Sequence, residues 1–438
     1  MATKKENISK EPYKGVRDFY PEDKFRQNFI FDKWRKVAER FGYEEMGASP
    51  LEPTELFEAK TGEEIINEQT YTFEDRGGRR VTLRPEMTPT VARMVAAKKR
   101  EMSFPTRLYS ITNFFRYERP QKGRLREFYQ LNADLFGASG ADADFETINL
   151  AYSIMKEFGV DDSKYEIRIN NRKYLTSLLQ DFFSLNDDAV YKTSKLIDRR
   201  GKISEAEFME QSKLLLKDKT ESFLEVFKVK NLEELEKIDS FFKGNEGIIE
   251  MRALFSKLDE AEINNYRFEP TLIRGLDYYT GIIFEVYDTG GENIRSLYGG
   301  GRYDNLLEIF GEEAVPTIGF AIGDVPMSDF LETYKLFPKY QSSTDLYICT
   351  LGNEFTSKAN ELAKELRISG LNVVVNLSNK KVGEQIAMAG KKSIPFILCI
   401  GQEEINSGRY KVKNLQSGEE NDVAFNEIAS IVKVDKSK

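Results

Sequence analysis

The chain has 438 residues, of which 40% are hydrophobic and 31% are charged, and its formal net charge is −8. This length predicts at least two domains, and the composition excludes a disordered chain and favours a globular, soluble protein over a membrane protein. The sequence contains no histidine, which excludes catalytic triads, histidine general bases and histidine metal ligands. Any chemistry must therefore use arginine, carboxylate, tyrosine, backbone groups or bound ions.

Targeting and metal-binding signals are also missing from the sequence. The longest apolar run, residues 394–400, is too short to span a bilayer, and the first ten residues lack the hydrophobic stretch of a secretory signal. We therefore expect a cytoplasmic protein with no membrane partner. Cys349 and Cys399 both lie in apolar, strand-like runs, so we expect buried thiols and no disulfide framework, zinc site or other protein-held metal.

The first 170 residues alternate between helix and strand signals. Apolar residues recur at helical spacing from Phe25 to Phe41, after a start at Pro21 and before Gly42. Strands are predicted at residues 43–51, 81–83, 107–112, 114–117 and 128–136, with a charged hairpin loop at 119–126 and a further helix at 145–158. An antiparallel sheet flanked by helices is the expected layout.

The pattern changes at residue 171. Residues 171–265 show short, charge-rich helical segments that indicate an insertion, and strands are predicted again near Phe268, at 282–287 and at 295–298. The glycine triplet at 299–301 is expected to lead into a helix. After a polar linker at 339–343, the tail is predicted as strand 345–350, helix 354–368, strand 372–377, helix 382–389 and strand 395–400. This alternation implies a separate domain with a small parallel α/β sheet.

Two segments carry charged residues of the kind found at binding sites. In FFRYERPQKGRLREFYQ, period-2 alternation places Arg116 and Glu118 on one face of a strand. Guanidinium groups match phosphate oxygens, so this hairpin could bind a polyphosphate; an exposed hairpin with a solvated tip is the alternative. In LRPEMT, Glu86 follows a strand and could hold a cationic amine, although such a segment is more often only a turn.

A third segment, LIRGLDYYTG, gives a stronger signal. Arg274, Asp277, Tyr278 and Tyr279 lie within six residues between apolar flanks, and burying them without partners would be costly. They require either a ligand or one another, and a structural network of Arg274 with Asp277 is the alternative. In GGGRYDNLL, the glycine triplet either lets the backbone approach a small ligand closely or forms a tight turn.

These four motifs, in this order and followed by an α/β tail, closely resemble the histidyl-tRNA synthetase family over essentially the whole chain. RGLDYY and GGGRYD are the family's own signatures, whereas LRPE and FRYE occur in class II synthetases more broadly. The resemblance implies an α+β catalytic core, an antiparallel sheet with flanking helices, formed by residues 1–170 and 266–338. It further implies a helical insertion at 171–265, which approaches the tRNA acceptor arm, and an α/β anticodon-binding domain at 344–438.

The family's reaction supplies expected substrates and residue roles. It joins L-histidine to ATP, which carries Mg²⁺, and passes histidine to the 3′ end of tRNA(His) without an organic cofactor; the enzyme is expected to be a homodimer, with residues 43–53 at the interface. By motif, Arg274 and Arg116 are catalytic, and Arg116, Glu118, Arg124 and Phe128 bind ATP. The histidine-binding set is Glu86, Met87, Thr88, Arg116, Gln130, Asp134, Arg274, Tyr278 and Tyr279. The tRNA-binding set is Arg119, Lys122, Arg126, Lys380 and Lys381.

The sequence departs from the family pattern at two positions. Asp134 stands where many members carry glutamate, so this carboxylate is shorter. The arginine that a class II core uses for ATP in its last motif falls at Pro326. Either Arg302 or Arg295 substitutes for it, or ATP is held more weakly.

Two other functions compete with this interpretation. The catalytically inactive, synthetase-like regulatory subunit of ATP phosphoribosyltransferase lacks the anticodon-binding tail and need not keep Arg116 and Arg274. Prolyl and threonyl synthetases share similar segments, but RGLDYY favours histidine, and threonyl enzymes need a histidine-containing zinc site. The absence of histidine suggests that this chain could still be translated when histidyl-tRNA is exhausted; chance drift or engineering are the alternatives.

Overall fold

A computed structural model describes residues 8–58, 69–121, 123–200, 203–274, 278–291 and 295–434 of the protein. The chain divides into two units, Met1–Tyr20 with Gln27–Phe337 and Pro21–Arg26 with Pro338–Lys438. Within the described ranges, no helix is long and apolar enough to cross a membrane.

The first unit contains eleven strands in its described part. They are β1 (Glu44–Glu45), β2 (Leu51–Pro53), β3 (Tyr71–Glu74), β4 (Arg80–Leu83), β5 (Thr106–Phe115), β6 (Glu127–Phe136), β7 (Tyr165–Asn171), β8 (Tyr266–Phe268), β9 (Ile282–Asp288), β10 (Ser296–Arg302) and β11 (Thr317–Gly323). Eight of them form one sheet in the order β1-β5-β6-β11-β10-β9-β7-β8, and β2-β4-β3 form a second, antiparallel sheet. The large sheet is antiparallel except at its edges, where β1 pairs with β5 and β7 pairs with β8 in parallel.

Helices precede, connect and follow these strands along the chain. They are α1 (Pro21–Arg40), α2 (Thr54–Glu58), α3 (Thr88–Lys98), α4 (Ala141–Glu157), α5 (Arg172–Ser177), α6 (Asp187–Asp198), α7 (Glu205–Leu216), α8 (Thr220–Val226), α9 (Leu232–Ile238), α10 (Glu246–Glu260) and α11 (Asp324–Thr333). The apolar stripes of α1 and α4, which include Trp34 and Ile154, are buried in the same core as strand residues such as Leu131. After β7 the chain leaves the sheet and forms helices α5 to α10. It returns to the sheet as β8, which pairs with β7 in parallel.

The structure corrects three strand predictions in this unit. Residues 107–112 and 114–117 were expected as two strands, but β5 runs through Asn113 as one strand paired with β6. The predicted strand at 43–51 is split between β1 and β2, which belong to different sheets, since β1 pairs with β5 whereas β2 pairs with β4. The glycine triplet lies inside β10, and a short 3₁₀ turn, Leu306–Phe310, takes the place of the helix predicted to follow it.

The second unit contains a five-stranded sheet. Its strands are β12 (Leu346–Thr350), β13 (Val373–Val375), β14 (Phe396–Ile400), β15 (Arg409–Asn414) and β16 (Glu420–Ala424), and its helices are α12 (Thr356–Ile368), α13 (Val382–Lys391), α14 (Gln402–Ser407) and α15 (Phe425–Val434). The order is β13-β12-β14-β15-β16. The first three strands are parallel, as predicted, but β15 and β16 add an antiparallel hairpin, so the sheet is mixed.

The missed hairpin had a detectable signal. In β15, Tyr410 and Val412 are buried whereas Arg409 and Lys411 are exposed, which is the alternation of a strand with one face on a core. The two cysteines are free, and they lie opposite each other on β12 and β14.

Candidate active site

Two glycines in the middle of the large sheet create space for side chains. Asp134 on β6 lies opposite Gly319 on β11, which lies opposite Gly301 on β10, so all three face the same side of the sheet. A Cβ atom at Gly319 would overlap the Asp134 carboxylate and the Tyr303 hydroxyl, and one at Gly301 would lie 2.8 Å from the Tyr279 ring. Glycine is therefore required because neighbouring side chains occupy the space above the strands.

A cluster of tyrosines fills this space. The ring centroids of Tyr278 lie 5.0 Å from Tyr279 and 5.5 Å from Tyr303. The Tyr303 hydroxyl donates a hydrogen bond to the Asp134 carboxylate, and the Tyr278 hydroxyl donates to Glu86 Oε2 at 3.1 Å. The cluster thus connects two buried carboxylates, Glu86 and Asp134, that are distant in the chain.

The two ends of this tyrosine cluster differ in chemistry. Burial raises the pKa of Asp134 to about 7, against the lowering effect of the hydrogen bond from Tyr303. A carboxyl group that titrates near neutrality can be an ionised acceptor for an N–H group of imidazole, which titrates in the same range. Sequence reasoning missed Tyr303, although the period-2 rule places residue 303 on the same face as Gly301.

The predicted amino-group ligands lie at the other end. Glu86 follows β4, and Thr88 begins helix α3 with its hydroxyl 3.5 Å from the Tyr278 hydroxyl. Met87 is buried at the helix start. Gln130 lies on β6 four residues before Asp134, so the two side chains point to the same face of the sheet.

The predicted ATP residues form a second group at the β5–β6 hairpin. Arg116 Nε donates to the Pro85 carbonyl at 3.0 Å, and its guanidinium lies 5.3 Å from the centre of the Phe128 ring. Glu118 is 3.9 Å from Arg116 Nη1 and 2.8 Å from Arg124 Nη1. The two guanidinium groups share the Glu118 carboxylate, so a polyphosphate could compete with Glu118 for both arginines.

Arg274 lies beside Gly299 of β10, on the face of the large sheet that also carries Asp134. Its Nη1 donates to the Phe284 carbonyl at 3.2 Å and lies 3.5 Å from Glu285, and a Cβ atom at Gly299 would overlap its guanidinium. Glycine in β10 therefore makes room for Arg274 as well. The alternative pairing with Asp277 falls outside the described residues, and the carboxylate that the structure places beside Arg274 is Glu285.

The arginine missing at Pro326 is not replaced by Arg302. Arg302 is buried and donates to Asp144 at 2.6 and 2.9 Å and to Asp304 at 3.3 Å, so its charge is used in structural ion pairs. Arg295 is exposed just before β10.

A cation that sequence reasoning did not single out lies close to this helix. Arg17 Nη2 donates to Asp324 at 2.7 Å, at the start of α11, and Asp324 also accepts from the Tyr129 N–H. The link could not be predicted from sequence because 307 positions separate the two residues.

The predicted tRNA-binding residues lie in both units. Arg119 is exposed at the hairpin, whereas Arg126 stacks on Tyr117 at 4.0 Å and donates to the Tyr13 hydroxyl at 2.9 Å. Lys122 lies outside the described residues. In the second unit, Lys380 and Lys381 are exposed directly before α13.

Comparison with known proteins covers both units. The family model for histidyl-tRNA synthetase matches residues 15–324, and the model for the anticodon binding domain matches residues 345–435. The histidine-tRNA ligase of Leptospira biflexa serovar Patoc is 38% identical over 99% of this chain and 100% of that protein. That of Haloarcula marismortui is 35% identical over 93% of this chain and 94% of that protein.

Solved structures show the same fold. The crystal structure of histidyl-tRNA synthetase from Nostoc sp. PCC 7120 matches with a TM-score of 0.83 at 24% identity, covering 98% of this chain and 100% of that one. The similarity to curated ligases includes the anticodon-binding domain, which does not favour the regulatory-subunit alternative. The chain belongs to the histidyl-tRNA synthetase family and has the fold of a class II aminoacyl-tRNA synthetase with a C-terminal anticodon-binding domain.

Proposed function

We propose that this chain activates L-histidine with ATP and transfers the histidyl group to the 3′ end of tRNA(His). The observation that supports this most directly is the cluster in which tyrosines join Glu86 to Asp134. A bound histidine needs a carboxylate for its ammonium group and an acceptor for its imidazole N–H. Glu86, with Thr88 and Gln130, takes the first role, and Asp134 with Tyr279 takes the second. Apolar analogues would offer no hydrogen-bond donor to these buried carboxylates, which is the strongest basis for rejecting them.

The activation step needs positive charge more than proton transfer. A carboxylate oxygen of histidine attacks the α-phosphorus of ATP, a new oxygen–phosphorus bond forms, and the bond to pyrophosphate breaks. The attacking carboxylate is already ionised, so no general base is required and a chain without histidine can support the step. Arg116 and Arg274 supply fixed positive charge where negative charge develops.

The remaining ATP contacts are assigned to the hairpin. Phe128 stacks on adenine, and Arg124 reaches the outer phosphates when it leaves Glu118. Mg²⁺ accompanies ATP and neutralises phosphate charge, and Glu118 is the carboxylate beside the proposed phosphate-binding arginines. The pair of Arg17 with Asp324 borders the helix that carries Pro326.

The other assignments concern assembly and tRNA. We propose that 1–170 and 266–338 form the catalytic core, 171–265 the insertion and 344–438 the anticodon-binding domain. Residues 43–53 contribute to a homodimer interface, and the enzyme acts in the cytoplasm. The tRNA-contacting residues are Arg119, Lys122, Arg126, Lys380 and Lys381. Exposed cations near single-stranded nucleic acid gain affinity by contacting phosphates, but Arg126 must first leave its aromatic partners.

Histidine-dependent exchange of labelled pyrophosphate into ATP tests the proposal. We expect exchange with L-histidine and none with proline or threonine, and we expect Arg274→Gln to reduce it strongly. Arg107→Gln is the matched control, because Arg107 is half-buried and pairs with Glu146 at 2.7 Å on the opposite face of β5. A purified wild-type protein that exchanges no pyrophosphate would instead support the regulatory function.

A further inference from the structure

The catalytic role proposed for Arg274 requires its guanidinium to be held in one place. Its Nη1 lies 3.5 Å from the Glu285 carboxylate, and the two side chains are only 19% and 16% exposed. A charge in such a setting depends strongly on its partner, because losing the partner leaves a largely buried charge unpaired. The position of Arg274 therefore depends on what holds Glu285.

Two arginines flank Glu285 on the same face of the large sheet. Glu285 lies directly opposite Gly299 of β10, beside which Arg274 sits, and directly opposite Arg168 of β7. Directly opposed residues have Cβ atoms about 4.5–5.5 Å apart, so Arg168 could draw the carboxylate away from Arg274. Arg168 instead pairs with Glu166 on its own strand, with Nε 2.7 Å from Oε1.

Tyr287 keeps these two ion pairs apart. Its hydroxyl donates to Glu285 at 2.6 Å, and the Arg168 guanidinium lies 3.9 Å from the centre of its ring. Burial and then the negative charge of Glu285 raise the pKa of Tyr287, so the hydroxyl keeps its proton and remains a donor. One side chain thus holds the carboxylate by a charge-assisted hydrogen bond and the competing arginine by a cation–π contact.

The pairing of Arg168 with Glu166 is supported from the edge of the sheet. Arg267 of β8 lies directly opposite Arg168, and like charges at such positions repel. Glu166 compensates both charges, because it lies 2.7 Å from Arg168 and 3.2 Å from Arg267. A further carboxylate, Glu269, lies 2.9 Å from Arg267. If Arg168 left Glu166 for Glu285, it would disturb this arrangement as well.

We propose that Tyr287 is a positioning residue for the activation step, which directs Glu285 towards Arg274 and away from Arg168. The inference rests on the proposed function, in which Arg274 supplies fixed positive charge to the reacting groups. A guanidinium that is held before the substrates bind needs no reorganisation as negative charge develops. Tyr287 acts on the reaction only through Glu285 and then Arg274.

Pyrophosphate exchange at varied histidine concentration tests this role. Tyr287→Phe keeps the ring beside Arg168 but removes the hydroxyl, so kcat should fall by about 10- to 100-fold, the scale of one hydrogen bond to a charged group. The fall in kcat should exceed any rise in KM for histidine, because Arg274 contributes most where charge develops.

A double substitution separates positioning from general packing. Arg168→Met removes the competing cation, so by itself it should leave kcat within about threefold of the wild type. Added to Tyr287→Phe, it should raise kcat at least about fivefold above that of Tyr287→Phe alone, because Glu285 then has only Arg274 to pair with on this face. A tyrosine that served only packing would give the opposite result, since a second lost contact would slow the enzyme further.

Tyr266→Phe is the matched control. Its hydroxyl also donates to a carboxylate, that of Asp259 at 2.8 Å, but Tyr266 precedes Arg267 on β8 and so faces the other side of the sheet. Its kcat should equal that of the wild type, and the melting temperature of each variant shows whether it is folded.

Three results would overturn the proposal. They are a wild-type kcat in Tyr287→Phe, a double variant no faster than Tyr287→Phe, and an equal loss of kcat in Tyr266→Phe. Each of them would leave the proposed function intact, because the wild-type protein still exchanges pyrophosphate. A wild-type protein without exchange would overturn the proposed function and the positioning role together.

Discussion

Replacing Tyr303 by phenylalanine gives the sharpest test of the histidine pocket. The substitution removes the hydroxyl that donates to Asp134 but keeps the ring that contacts Tyr278 at 5.5 Å. The carboxylate then loses a hydrogen bond that favours its ionised form. Tyr303→Phe should therefore raise the pKa of Asp134 without emptying the pocket.

The size of the effect follows from the hydrogen bond. A hydrogen bond to a charged group contributes about 1.5–3 kcal/mol, and one pKa unit corresponds to about 1.36 kcal/mol. The pKa of Asp134, about 7 in the wild type, should rise by about 1–2 units. At neutral pH the ionised fraction would fall from about one half to between about 1% and 10%, so KM for histidine should increase by about 5- to 50-fold.

The pH dependence distinguishes this mechanism from a general loss of packing. Ionised Asp134 accepts the imidazole N–H, so histidine binding strengthens as pH rises through the pKa of Asp134. KM for histidine, measured by pyrophosphate exchange at a series of pH values, should therefore reach its plateau at higher pH in Tyr303→Phe than in the wild type. Free histidine titrates identically in both assays, so the ratio of the two KM values isolates the contribution of the protein.

Tyr298→Phe is the matched control. Its hydroxyl donates to the Ala151 carbonyl at 3.0 Å. Residue 298 faces away from the side of β10 on which Gly299 and Gly301 lie. This variant loses a buried tyrosine hydrogen bond of the same kind, but its pH profile should follow the wild type. If Tyr303→Phe also reaches its KM plateau at the wild-type pH, then Tyr303 does not set the ionisation of Asp134 and the reasoning fails.

Three further substitutions test other parts of the structure. Gly299→Ala should lower kcat/KM in exchange by at least about 100-fold, because the added Cβ would overlap both the Arg274 guanidinium and the Phe284 carbonyl that accepts from it, and displacing Arg274 removes a preorganised charge. Asp134→Asn should abolish histidine-dependent exchange yet raise the melting temperature above neutral pH, since an aspartate whose folded pKa is raised costs stability once pH exceeds its unfolded pKa. Glu157→Gln should lower the melting temperature at neutral pH, because hydrogen bonds from Lys36 and then Arg40 lower the pKa of Glu157 to about 2. That loss should shrink as pH falls from the ordinary glutamate pKa towards about 2.

Each of these predictions has a control variant or an outcome that would contradict it. Gly383→Ala adds a methyl group where nothing lies within 4 Å, so it should leave exchange intact, and an equally active Gly299→Ala would show that Arg274 tolerates displacement. For Asp134→Asn, a melting temperature below that of the wild type at alkaline pH would contradict the raised pKa. For Glu157→Gln, melting followed in acid by circular dichroism decides the matter, and a pH-independent difference would assign the effect to packing.

Much of the site was accessible from local sequence because its signals are local. Period-2 alternation places Phe128, Gln130 and Asp134 on one face of a strand, and the structure has a strand, Glu127–Phe136, at those positions. The order of four motifs identified the family, which the comparisons confirm over both units. Whether these side chains bind the substrates remains a prediction for the experiments above.

Other features depended on partners that no local pattern reveals. Arg302 looked like a free cation in the sequence, but its partner Asp144 lies 158 positions away. The glycine triplet had the local signature of a turn, yet it lies inside β10. Glycine is needed there because Arg274 and the neighbouring strands occupy the space that side chains would need.

The sequence by itself determined the family, helices α1, α4, α12 and α13, most strands of both units and the residue types available for chemistry, because these follow from periodicity and from short contiguous motifs. Only the tertiary structure decided which charges pair with one another, which tyrosine meets Asp134 and which carboxylate lies beside Arg274. Those outcomes depend on desolvation and close packing between segments far apart in the chain, and the energy of burying a charge is set by whichever partner the fold places beside it.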